Sequence, residues 1–206
     1  MKFRLTYEGR LESNGSPKHE HEIRQQLHPQ LKRLWKCDPN LREWKSLTAE
    51  IFDNSVENAL VPHHEAEPRP VAELLAEQYS RDGYRYVPLA TERVPLVAAL
   101  DILFLYPDSP RTTIQSGDID NRLKTLFGGL KMPQSKEELG GYNVPGSDED
   151  PFYVLLEDDL QIAQVSVETD MLLRPTSAWA GPSDVMLVIT VHLKPNFIRI
   201  QNLHFA

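Results

Sequence analysis

Two apolar runs, Leu96 to Tyr106 (broken only by Asp101) and Val185 to Leu193, limit most tightly what this chain can fold into. Both are too short to cross a bilayer, and both suit strands. The segments around them set the order. Lys2 to Tyr7 places Phe3, Leu5 and Tyr7 on one face and reads as a first strand. A loop rich in Gly, Asn and Pro follows from Glu8 to Pro17. A helical pattern then runs from about Lys18 to Trp35, with Pro29 expected to kink or break it. Val71 to Tyr79 reads as a short helix, and Arg85 to Leu89 as a strand. Leu123, Leu126, Phe127 and Leu130 form one apolar face of a helix over Asp118 to Leu130, which Gly128 and Gly129 are expected to loosen or end. Phe152 to Leu156 and Ile162 to Thr169 read as further strands. The fold class is α/β (α+β): one domain over residues 1–206, with a mixed sheet flanked by helices. Insertions are expected at about 40–83 and 131–151, the latter a flexible loop, and Val61 to Pro70 reads as a surface loop.

At 206 residues and 40% hydrophobic, the chain can bury a real core. The single Cys37 rules out an intramolecular disulfide and a cysteine-rich zinc site, and fits a reducing, cytoplasmic setting. The opening residues lack a signal-peptide apolar run. The net charge of −8 weighs against nucleic acid. Its distribution softens that, because residues 1–50 carry +3 and the remaining 156 carry −11.

Much of that negative charge gathers in two motifs. The first is Asp118-Ile119-Asp120-Asn121-Arg122-Leu123-Lys124. If extended, Asp118 and Asp120 point to the same side, and Asp120 or Asn121 suits the N-cap of the following helix. Lys124 falls one turn beyond Asp120. The second is Glu157-Asp158-Asp159, ahead of Gln161 and Ile162. Hard cations take oxygen ligands, and three converging carboxylates would hold Mg²⁺, or Mn²⁺, where it could activate water against a phosphodiester.

The pattern Asp-x-Asp-Asn-x-x-Lys at a helix start, followed by Asp-Asp-x-Gln-Ile, resembles the RusA family of Holliday-junction resolvases. The close likeness covers 118–130 and 157–168, and about twenty extra residues separate the two motifs here. The resemblance implies a RusA-like fold and a metal-dependent endonuclease acting on Holliday junctions or other branched DNA, in recombination and repair. It makes Asp118, Asp120 and Asp159 the metal ligands and Lys124 the catalytic basic residue, with Asp158, Asn121 and Glu157 as secondary groups. It also implies a homodimer. Arg24, Lys32, Arg33 and Lys36 are the expected phosphate contacts.

Plainer readings stand beside these. Asp-x-Asp-Asn can simply cap a helix, and Asp158-Asp159 can be a solvated turn. His19, His21, His63 and His64 read as surface groups, Trp35, Trp44 and Trp179 as core or interface anchors, and Asp148 to Asp150 as a solvated charge run. The rival functions are a flap or single-strand nuclease, a small-molecule phosphohydrolase, and a non-catalytic nucleic-acid or protein-interaction module that keeps the acidic site as a relic.

Overall fold

The computed structural model describes residues 1–46, 68–107, 119–173, 183–196 and 205. The two apolar runs become the central strands of a mixed four-stranded sheet. These are β6 (Leu96–Tyr106) and β9 (Asp184–Pro195), which pair antiparallel. Outside β9 lies β1 (Lys2–Arg10), antiparallel to it, and outside β6 lies β8 (Ile162–Met171), parallel to it. The order is therefore β1-β9-β6-β8. Alternate residues of the central pair are buried, among them Ala98, Leu100, Ile102 and Phe104 on β6 and Leu187, Ile189 and Val191 on β9. The residues between them, Asp101 and Thr190 included, face the other side and are exposed or half-buried.

Helix α1 (Pro17–Cys37) packs its Ile23, Leu27, Leu31 and Trp35 into that core. Ser16 caps it, accepting the His19 N–H at 3.3 Å, and Pro17 opens it, where no donor is needed. Pro29 does not break α1, which runs on to Cys37. The interior proline costs about 3 kcal/mol, and the buried face on both sides of it offsets that. The shorter elements are α2 (Pro39–Arg42), the paired β2 (Lys45–Ser46) and β3 (Arg69–Pro70), and α3 (Val71–Gln78). β4 (Ser80–Arg81) pairs with β5 (Tyr84–Ala90), which lies parallel to β7 (Phe152–Leu156).

Gly128 and Gly129 remain inside α4 (Ile119–Leu130) rather than ending it. A Cβ on Gly129 would stand 2.5 Å from Ile23 Cγ2, and one on Gly128 would collide with the Glu20 carboxylate. The glycines are there so that α4 can approach α1 closely. Residues 131–151 are likewise not a free loop. Met132 and Leu139 are buried, and side chains of α1 hold the segment. Arg24 donates to the carbonyls of Lys131 (2.9 Å) and Glu138 (3.0 Å), and Gln25 donates to Glu149 (2.8 Å). Asp148 and Asp150 are exposed, as expected of a solvated run, and each is also ion-paired, Asp148 with Lys32 at 2.6 Å and Asp150 with Arg85 at 2.8 Å.

His21 is also corrected, from surface to fully buried. It stacks on Tyr142 with ring centroids 4.9 Å apart. Trp35 and Trp44 are anchors as expected, stacked 6.0 Å apart. Val61 to Glu67, with His63 and His64, and also Trp179 lie outside the described residues. The result is a mixed α/β domain with helices flanking a sheet. No described helix is long and apolar enough to cross a membrane.

Candidate functional site

The acidic motifs end up on α4 and on the turn between β7 and β8. Asp120 lies in the first turn of α4, past the cap position, so the extended pairing expected of Asp118 and Asp120 does not hold at Asp120. Asp118 itself lies outside the described residues. Lys124 donates to Asn121 Oδ1 at 3.2 Å, which draws its ammonium back along its own helix.

The second motif is used up in shaping its own turn. Asp158 caps the 3₁₀ turn Asp159–Gln161, accepting the Leu160 N–H at 3.1 Å, while Gln161 Oε1 accepts the Asp158 N–H at 2.7 Å. This reciprocal capping box commits both side chains to the backbone. Glu157 accepts from Tyr79 Oη and from the Glu92 N–H, each at 2.9 Å. Its carboxylate is therefore turned toward the α3 and β5 side. Burial, and after it the hydrogen bond and charge of Asp158, raise Asp159 above the usual carboxylate range, toward its neutral form.

Among the described residues, no group of three or more His, Cys, Asp or Glu could hold a metal ion. This overturns the expected Mg²⁺ or Mn²⁺ cofactor, with Asp120 and Asp159 belonging to no such group and Asp118 lying outside the described residues. The metal-dependent endonuclease reading falls with it, for Holliday junctions and for other DNA alike, as does the metal-dependent phosphohydrolase. Asp158 is spent on its own turn and Glu157 on Tyr79 and Glu92, so neither secondary carboxylate is directed toward a shared cation.

The basic residues of α1 are similarly dispersed. Arg24 is buried among backbone carbonyls, and Lys32 is paired with Asp148. Arg33 and Lys36 face solvent. On the open face of the sheet, Arg4, Asp101, Ser166, Glu168 and Thr190 line a shallow depression, where Asp101 and His192 Nε2 meet at 3.0 Å.

No family model, curated protein or solved structure matches this chain. Its site must be read from geometry.

That geometry singles out the outer edge of β8. No described strand pairs there, and most of its ten residues are exposed. Of the five large hydrophobic residues exposed on the described surface, four flank or lie on this strand: Leu160 (86% exposed), Val165 (37%), Met171 (41%) and Leu173 (84%). On the opposite edge, one residue of β1 is covered by a side chain of α1. The Thr6 N–H donates to Gln30 Oε1 at 3.0 Å, and Gln30 Nε2 donates to the Thr6 carbonyl at 2.7 Å. The amide of Gln30 thus satisfies both backbone groups of Thr6 as a neighbouring strand would at that one residue. Sequence reading found β8 as a strand but missed its edge position. The available signal was Gln164, Ser166, Glu168 and Asp170 at every second position, polar along one whole face.

Proposed function

We propose that this chain is a non-catalytic protein-interaction module that accepts an added β-strand along the outer edge of β8. The observation that carries this is the exposure of Leu160, Val165, Met171 and Leu173 on or beside a strand whose outer edge no described strand covers. Natural sheets usually blunt such an edge with lysine, proline or a covering element. β8 carries neither Lys nor Pro, and its two charges, Glu168 and Asp170, stand on one face only. Backbone groups on an open edge supply affinity to an incoming strand, and the alternating side chains supply selection. DNA is less favoured as a partner, because Arg24 is buried and Lys32 is paired. A RusA-like ancestry remains part of the proposal. The spacing of Asp120, Asn121 and Lys124, and of Asp158, Asp159, Gln161 and Ile162, supports it, with the acidic groups now serving as caps and turns.

The test is a displayed library of extended peptides with alternating apolar and polar residues, selected against the chain tethered through its exposed Cys37. Enriched peptides should slow amide hydrogen exchange across Ile162–Met171. Enrichment of peptides that protect another element, or no enrichment at all, would overturn the reading.

A further inference from the structure

We infer that the strand added to β8 is a basic one, an extended segment with lysine or arginine at every second position and apolar residues between them. The inference rests on the strand-addition reading and names the chemistry of its partner. β8 presents two unlike faces. Val165, Val167 and Met171 continue the core face, since Val165 lies beside the buried Leu100 and Val167 beside the buried Ile102. An incoming strand covers them with apolar side chains at alternate positions. Gln164, Ser166, Glu168 and Asp170 stand on the open face. The inner neighbours of the two acids are Leu103 and Leu105, which offer them no charge. Asp170 accepts the Met171 N–H at 2.7 Å, and neither acid is ion-paired with a lysine or arginine among the described residues. The position still to be filled beside each acid is the outer one, where an opposite charge is favourable.

The surroundings carry the same sign. From Glu157 to Leu173 the chain holds five acidic residues and no lysine or arginine. A second copy of β8 could therefore supply no cation. Glu157 is turned toward Tyr79, which leaves Glu168 and Asp170 as the charges on the open face of β8. Beside them, Asp101, Ser166 and Glu168 line one side of the open-face depression, whose volume is about 440 Å³, with Arg4 at its far, β1 side. Asp101 is level with Ser166, and its side chain is 53% exposed. Strands lie about 4.8 Å apart, so a residue added level with Ser166 stands about 10 Å from Asp101. The short Ser166 side chain leaves room for an arginine to cross it toward that carboxylate, which His192 approaches from β9 on the other side.

The test uses three synthetic peptides that share one alternating apolar framework and carry lysine, glutamine or glutamate at the positions between. Fluorescence anisotropy reads their affinity, and amide hydrogen exchange reads which element they protect. The lysine peptide should slow exchange across Ile162–Met171. It should bind about tenfold tighter than the glutamine peptide, as two cross-strand ion pairs imply. Most of that advantage should vanish between about 0.1 and about 1 M salt. Glu168→Gln with Asp170→Asn should abolish the preference, and Glu168→Lys with Asp170→Lys should reverse it in favour of the glutamate peptide. Glu43→Lys with Glu92→Lys makes the same change in net charge at exposed positions elsewhere, and should leave the preference in place. An unchanged melting temperature is the control for folding. Equal affinity and equal protection of β8 by all three peptides would overturn the basic partner and leave strand addition standing. A preference that the Glu43 and Glu92 changes remove as fully as the β8 changes overturns it too, as general attraction to an acidic protein. If no peptide protects β8, both readings fall together.

Discussion

The buried histidines show how far a residue's chemistry depends on what surrounds it. His21 sits against Tyr142, Tyr84 and Phe152, and burial together with the Arg24 charge pushes its imidazole down to about 4. His28 is also lowered by burial. It accepts the Tyr153 N–H on Nδ1 at 2.9 Å, with Nε2 3.0 Å from the Asp148 carbonyl. This pattern calls for the neutral ring protonated on Nε2. The consequence for stability has a definite sign. Above 6.5, the ordinary imidazole value, neither folded nor unfolded chain takes up the His21 proton, and stability is complete. Between 6.5 and about 4 the unfolded chain binds that proton and the folded chain refuses it, so stability falls as pH falls. The shift corresponds to about 3 kcal/mol at full effect. Melting temperature should therefore drop steadily from pH 7 to pH 4, and His21→Phe should flatten the slope. An unchanged slope in that variant would mean that His21 is not the group responsible.

At the scale of elements, close approach and edge protection decide what the local pattern leaves open. Gly129 lies inside a helix at a position where alanine would ordinarily be preferred by about 1 kcal/mol. The contact with Ile23 reverses that preference, since a Cβ there would stand 2.5 Å from Ile23 Cγ2. Gly129→Ala should destabilise the fold by about 1–2 kcal/mol in urea titration, because overpacking outweighs the gain in helix propensity. A stabilised variant would show that α1 and α4 can move apart at little cost. Gln30→Ala removes the two bonds that satisfy the outward backbone groups of Thr6 and should cost about 1 kcal/mol, read as a lower midpoint in urea titration. Both effects were hidden in the sequence. Gly128-Gly129 reads as a helix terminator until its neighbour is known, and Gln30 reads as an ordinary polar residue on a helix face. By contrast, Leu96–Tyr106, Phe152–Leu156 and Val71–Gln78 were legible almost to the residue, because an apolar run or a periodic face is set by nearby residues alone.

For the molecule as a whole, the sharpest consequence concerns divalent metal. A cation bound at a hundred times its dissociation constant would add about 2.7 kcal/mol to stability, a shift of several degrees in melting temperature. Millimolar Mg²⁺ or Mn²⁺ should leave the melting temperature of this chain unchanged, and a clear rise would return the carboxylates to metal binding. The acidic motifs were fully legible as motifs. Residue spacing along the chain set the mixed α/β class, the alternation of Leu96–Tyr106, the apolar faces of α1 and α4, and the capping chemistry available to Asp158. All of these depend on interactions within a few residues. Only the tertiary structure decided where Glu157 points, the pairing of Lys32 with Asp148, the burial of His21 and Arg24, and the position of β8 at an edge that no described strand covers. Each of those depends on partners dozens of residues away. Spacing restricts which groups can meet locally, but convergence and exposure arise only once strands and helices have packed.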